Sequence, residues 1–331
     1  HAKDSLRERC QVSESVTTSE REVPLAIWLL LSLALLAVSS AGAVLQELGQ
    51  VPPILRASWR LQATCVVLAP IFLFQVFRTE SYSPSKRDAL IVLGSSICLA
   101  LHFAAWIWSL DNTSLVHSLL FVTSHPLVVV LFMPLMGERV GRGHVVGALV
   151  GVMGAALALG EVGGGGEVTA LGDLAAFLGA VFVVGYMFAG SHLRSIRQMP
   201  TFIYALPVTL LACVWLSLGA VFIEGVELAG VVPDASMFGW VDALWLPWVA
   251  YLAVGPGLVG HTGINACLRW IPPIVISIAL IFEPIIGGII GWAMTGESTL
   301  GGWTLIGGPL MIAGAVLVTL EQGKRDNKAQ A

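Results

Sequence analysis

Polar and ionisable side chains recur at helical spacing inside long apolar runs of this chain. His102, Trp106 and Ser109 share one face of a run. His117, Phe121, Ser124 and His125 share another, and Gly257, His261 and Asn265 recur every four residues. Glu283 stands beside Pro284 with Gly287 four residues on. Polar groups placed this way are costly in an apolar medium and face a bundle interior or a watery cavity. Glu283 reads equally as a proton-accepting or amine-binding carboxylate and as a carboxylate bonded to a neighbouring helix. A single histidine on an apolar face is more often a satisfied packing residue, but histidines from three runs point to one polar cavity. Trp106 and Trp108 read first as packing or interface residues. Pro126 and Pro284 each remove a helix hydrogen bond and are predicted to kink their helices.

The five cysteines, Cys10, Cys65, Cys98, Cys213 and Cys267, form no CxxC pair. They suit packing rather than a disulfide or metal framework. Gly255-Pro256-Gly257-Leu258-Val259-Gly260 fits GxGxxG but follows no strand, so it gives no dinucleotide site. There is no Walker A, HExxH or GxSxG sequence, and no basic-aromatic stripe for nucleic acid. No catalytic residue, metal or cofactor is expected.

The elements carrying these residues follow from composition. The 331 residues are 56% hydrophobic and 11% charged, with a mean hydropathy of +0.84. A water-soluble domain carries about 25% charged residues, so lipid is the solvent here. Cutting the apolar runs at charges, prolines and glycine clusters gives ten spans near 25–46, 54–77, 88–110, 113–136, 143–160, 169–190, 200–223, 246–268, 272–295 and 302–320. Most approach the ~20 residues a bilayer demands. Segment 224–245, with Trp240 and Trp245 and with Trp248 just beyond, reads as lying at the membrane surface. Residues 1–23 read as a disordered tail, and any targeting segment ahead of His1 lies outside the sequence.

With these spans, all of the 17 Lys and Arg residues except Arg56 and Arg60 fall on one side. The positive-inside rule puts both termini in the cytoplasm. Arg56, Arg60 and Arg269 are read as lying near span edges.

The halves also repeat. Ser124-His125-Pro126, Gly137-Glu138, Gly147 and Gly154 have counterparts in Phe282-Glu283-Pro284, Gly296-Glu297, Gly307 and Gly314. The offset is 158 at the prolines and 160 at the glycines, and it pairs Glu283 with His125. Five spans per unit is odd, so the second unit is inverted relative to the first. The expected division is 24–160 and 169–320, joined by a flexible link at 161–168 (with Gly163 to Gly166) and followed by a cytoplasmic tail at 321–331. Gly147 with Gly151, and Gly287 with Gly291, read as close helix contacts.

The run from Leu110-Asp111-Asn112-Thr113-Ser114 through His125-Pro126 to Gly137-Glu138-Arg139 resembles the drug/metabolite transporter superfamily, EamA type. Glu283-Pro284 to Gly296-Glu297 resembles it again, as does Gly172-Asp173 opening the sixth span. The second copy departs at Glu297-Ser298, where the first has Glu138-Arg139. The resemblance implies an all-α membrane fold of ten helices in two inverted repeats, moving small organic solutes by alternating access. His102, Trp106, Ser109, His117, Ser124, His125, His261, Asn265 and Glu283 are then the substrate-path candidates. The expected solute is neutral or zwitterionic and amino-acid-like, with export the commoner family theme. The rival within transport is a sugar phosphate or nucleotide sugar, disfavoured because no Arg or Lys clamp lies within the spans. The rival outside it is an intramembrane enzyme. Expected partners are the lipid bilayer and a small-molecule substrate, with protons and a second copy in a homodimer left open. The plasma membrane is expected over an organelle membrane.

Overall fold

The computed structural model describes residues 23–78, 82–132, 140–161, 168–271, 273–296 and 301–330. The tail before Val23, the Gly137-Glu138-Arg139 turn, the Gly163–Gly166 link and Glu297 fall outside these. Within them the fold is all-α. In chain order come α1 (Leu25–Ser39), α2 (Ala41–Glu47), α3 (Pro53–Arg78), α4 (Lys86–Leu110), α5 (Leu115–Val122), α6 (His125–Phe132), α7 (Arg142–Ala158) and α8 (Ala170–Ser191). After these come α9 (Thr201–Glu224), α10 (Leu246–Leu252), α11 (Gly263–Cys267), α12 (Pro273–Leu280), α13 (Glu283–Thr295) and α14 (Gly302–Gln330). Six stretches are long and apolar enough to cross a membrane: Leu25–Glu47, Pro53–Arg78, Lys86–Leu110, Ala170–Ile196, Thr201–Glu224 and Gly302–Glu321. Arg142–Ala158 is a shorter apolar helix. The bundle's outside carries Phe74, Phe77, Leu149 and Phe222, all well exposed. Such a surface needs lipid rather than water. This is an integral, multi-pass membrane protein.

Four expected spans are not single α-helices, and the first of them, 25–46, divides at Ser40 between α1 and α2. The run 113–136 breaks between α5 and α6, and 272–295 breaks between α12 and α13. Pro126 and Pro284 sit in the first turn of the helix after each break, where the missing N–H costs nothing. They start new helices rather than bending old ones. The run 246–268 passes through a π-helical stretch, Ala253–Thr262, with Pro256 inside it. Wider winding is a usual response to a disrupted hydrogen-bond ladder. At the other extreme, α14 continues through the expected tail to Gln330. Its Glu, Gln, Lys and Arg residues favour helix.

Lipid supplies no hydrophobic force between helices, so they associate by close packing and polar bonds. The main pairings are α7 with α14, α4 with α8, α3 with α9, α4 with α9, α1 with the π-helical stretch, α5 with α8, and α5 with α13. The first is backbone on backbone. A Cβ on Gly154 would lie 2.5 Å from the Met311 nitrogen and 2.7 Å from the Gly307 oxygen. A Cβ on Gly147 would lie 2.7 Å from the Gly314 oxygen. Gly287 and Gly291 serve α13 similarly, against Leu119 and Leu115.

Polar clasps hold the ends. The buried Asp173 accepts from Thr113 Oγ1 at 2.7 Å and from His117 Nδ1 at 3.0 Å, and Thr304 Oγ1 lies 2.7 Å from His117 Nε2. This ties α5, α8 and α14 together. Gly172 lets the first turn of α8 come up against the Asn112 carbonyl, which brings Asp173 into reach. Nearby, Arg56 pairs with Asp111, and the Ile54 and Leu55 N–H groups donate to the Glu224 carboxylate at 2.7 and 2.9 Å. The carboxylate at the end of α9 thus caps α3. At the opposite end Asp88 closes a capping box with Ser85 and takes two bonds from Arg197, each 3.0 Å.

Segment 226–245 is a cap over α3. Trp59 Nε1 donates to the Ser236 carbonyl at 3.2 Å, and Trp240 Nε1 to Gln62 Oε1 at 2.8 Å. Trp245 is buried in this packing, so of the three tryptophans read as surface anchors only Trp248 is exposed.

Replacing Gly154 with Leu should separate α7 from α14, costing about 1–3 kcal/mol or more. The expected sign is a lower melting temperature in detergent and loss of monodisperse protein. Asp173→Ala should cost about 1–3 kcal/mol for the donors it strands, and Asp173→Asn less. Equal melting of all three proteins would show that the clasp contributes nothing.

Candidate functional site

The breaks at 123–124 and 281–282 face each other across a small enclosed cavity near the middle of the bundle. His125 opens α6 and Glu283 opens α13, and both line this cavity. From α4 come His102 and Trp106, stacked with ring centroids 6.0 Å apart and planes 11° from parallel. The π-helical stretch contributes His261, whose ring meets Phe103 edge-on at 5.1 Å and lies 6.3 Å from His102. The π winding breaks the fourfold spacing expected for Gly257, His261 and Asn265. His261 faces the cavity, Gly257 packs on Thr64, and Asn265 turns to a smaller adjoining chamber. There Asn265 Nδ2 donates to the Tyr186 hydroxyl at 2.6 Å. Apolar walls come from Val122, Val183, Met187 and Leu280. The free space admits only a few waters.

The predicted residues therefore divide. His102, Trp106, His125, His261 and Glu283 gather at the cavity, and Trp106 is a wall of it as well as a packing residue. His102 Nδ1 donates to the Gly179 carbonyl at 2.9 Å, which fixes its ring against α8. Ser109 and Ser124 bond locally, to the Trp106 and Phe121 carbonyls at 2.6 Å each, and Ser109 also meets Ser118. His117 belongs to the Asp173 clasp. None of these three lines the cavity.

Two residues were missed, Arg60 and Tyr186, both of which line the cavity and its side chamber. Reading Arg60 as an edge residue is corrected here. It lies seven residues into α3, about 10 Å along the axis. The cap over Trp59 further removes this stretch from the surface. Arg60 is 1% exposed, and none of its three guanidinium nitrogens has a hydrogen-bond partner among the described residues. Its guanidinium carbon rests 4.5 Å from the Phe103 ring centre and 5.9 Å from that of Trp106. A desolvated cation–π contact gives about 2 kcal/mol, against a penalty of several kcal/mol for burying the ion. The aromatic rings alone do not offset the burial. A polar residue inside an apolar helix, Arg60, followed at i+4 by Thr64, was the available signal. Its proximity to Pro53 concealed it.

The arrangement is an occluded chamber with one cationic and one anionic side chain, three imidazoles and an aromatic wall, bounded on two sides by helix breaks. It can hold a small polar solute away from lipid.

Among solved structures, 28 chains match this one. One crystal structure covers 90% of this chain and 98% of its own, with a TM-score of 0.60 and 22% identity, a likeness of fold. No curated protein matches the sequence. The profile of the EamA-like transporter family matches residues 25–160. The matched stretch supplies α1 to α7 and with them Arg60, His102, Trp106 and His125, so over that part the chain is similar to the EamA-like transporter family.

Proposed function

We propose that this protein is a secondary active transporter moving an amino-acid-like solute by alternating access, outward across the plasma membrane. The observation that carries the reading is the pair of broken helices. Their breaks stand 158 residues apart, at matching places in the two halves, and both open on the same closed polar cavity. Irregular backbone at membrane depth is tolerated where it lines such a cavity, and broken helices commonly form transporter sites.

The pairings also support two inverted five-helix units, 24–160 and 169–320. Exchange the elements of one unit for those of the other in order, so that α1 replaces α8 and α4 replaces the π-helical segment. Span for span the pairings are reproduced: α4 with α8 becomes the π-helical stretch with α1, α4 with α9 becomes the π-helical stretch with α3, and α5 with α8 becomes the span of α12 and α13 with α1. The pairings of α7 with α14, of α3 with α9, and of the span of α5 and α6 with that of α12 and α13 map onto themselves. A two-fold relation of this kind lets one unit rock on the other about a central site. Both termini are then cytoplasmic, as the Lys and Arg distribution requires.

Glu283 is the proton-coupling group in this reading. Among the described residues it is the one carboxylate lining the cavity, and it stands at a break, where the surrounding helix geometry can change. A sugar phosphate is less well served, because the single arginine at the cavity faces Glu283 and a dianion would meet a like charge.

In proteoliposomes the purified protein should carry amino acids at a rate that rises with an imposed pH gradient. Glu283→Gln should remove the gradient dependence while the melting temperature stays near wild type. Tags on both termini should be reached from the same side of the membrane. Gradient-driven flux surviving in the Gln variant would remove the coupling role, and tags on opposite faces would overturn the inverted pair.

A further inference from the structure

We infer that Arg60 is the anchor for a carboxylate on the transported solute, with Glu283 the opposite pole that receives its ammonium group. This rests on the transport reading and names the group that selects the solute.

Arg56, Arg60 and Arg194 are all essentially buried. Arg56 donates Nη1–H to the Leu45 carbonyl at 2.9 Å and pairs with Asp111. Arg194 donates Nε–H to the Asn265 carbonyl at 3.0 Å, Nη2–H to Thr201 Oγ1 at 2.6 Å and Nη1–H to the Met199 carbonyl. Those two stitch helices together. Arg60 makes no hydrogen bond among the described residues, yet it is as deeply buried and lines the cavity. A buried guanidinium that holds no part of the fold is available to something that enters.

Its chemistry specifies the visitor. The planar fork of donors matches a carboxylate through two parallel bonds. Phe103 and Trp106 limit where the fork can turn. Glu283 lines the same cavity and remains partly accessible to it. An α-amino acid brings one charge of each sign and meets one of each. A lone cation would face Arg60, a lone anion Glu283, and a phosphate dianion would meet Glu283 with twice the charge. The aliphatic walls are left for the side chain.

The test uses full-length protein in proteoliposomes and, in parallel, thermal melting in detergent. Four probe sets are compared: α-amino acids from alanine to phenylalanine, their amides, the corresponding acids lacking the amino group, and glycerol phosphate. Amino acids should be carried and should raise the melting temperature, with the other three sets at least tenfold weaker in flux. Arg60→Gln should lower amino-acid flux at least tenfold, with Arg60→Lys retaining part of it. The Gln variant should melt near wild type, because no hydrogen bond among the described residues is lost with the guanidinium. A fall in its melting temperature would make Arg60 structural and overturn the proposal. So would amides or glycerol phosphate carried as well as amino acids, or wild-type amino-acid flux in the Gln variant. Flux of the amides falling in the Gln variant by the same factor as that of the amino acids would leave transport standing and remove the anchor, because Arg60 would then not be reading the carboxylate. No flux of any set would remove the transport reading itself.

Discussion

In a bilayer a backbone amide that loses its helical partner finds no water to replace it. That constraint organises this protein. The chain interrupts its helices at 123–124, at 281–282 and along Ala253–Thr262, and all three places border the same interior cavity or its walls. Each interruption is enclosed by neighbours, and the neighbours can approach because glycines let them. Gly287 and Gly291 bring α13 against α5, and Gly260 brings the π-helical stretch against Val38 of α1. The glycine contacts and the polar chamber are therefore two aspects of one arrangement. Irregular backbone is confined to the interior, and tightly packed regular helices surround it.

Burial alone does not distinguish structural from functional charge. Arg56, Arg194 and Asp173 are buried and bonded, each joining elements distant in sequence. Asp88 does the same at the opposite end of the bundle. Their role is to fix which helix ends meet, with the clasps at the two ends leaving the middle of the bundle free of such ties. Arg60 and Glu283 stand in that middle region.

Much of the architecture was legible because hydropathy and charge placement carry it directly. The chain's all-α, lipid-embedded character follows from run lengths, and the repeated His125-Pro126 and Glu283-Pro284 anticipated the paired helix breaks. What escaped was three-dimensional. A proline motif does not say whether it bends a helix or begins a new one. The serines Ser109 and Ser124 shared faces with cavity residues, but their hydroxyls were satisfied by carbonyls in the preceding turn. His117 was drawn to Asp173, 56 residues away, a partner no local spacing reveals. Arg60 was obscured by a cap that folds back from segment 226–245, more than 160 residues downstream. Distance along α3 was a poor guide to depth once another segment covered its end.

Trp59 and Arg60 are consecutive residues that answer to different masters. The indole is gripped by the cap through Ser236, while the next side chain projects among the rings of α4. The two share one stretch of helix backbone, so a shift of the cap large enough to move the α3 backbone at Trp59 would carry the Cα of Arg60 with it. The depth of a central charge is thereby tied to how firmly a surface segment is seated.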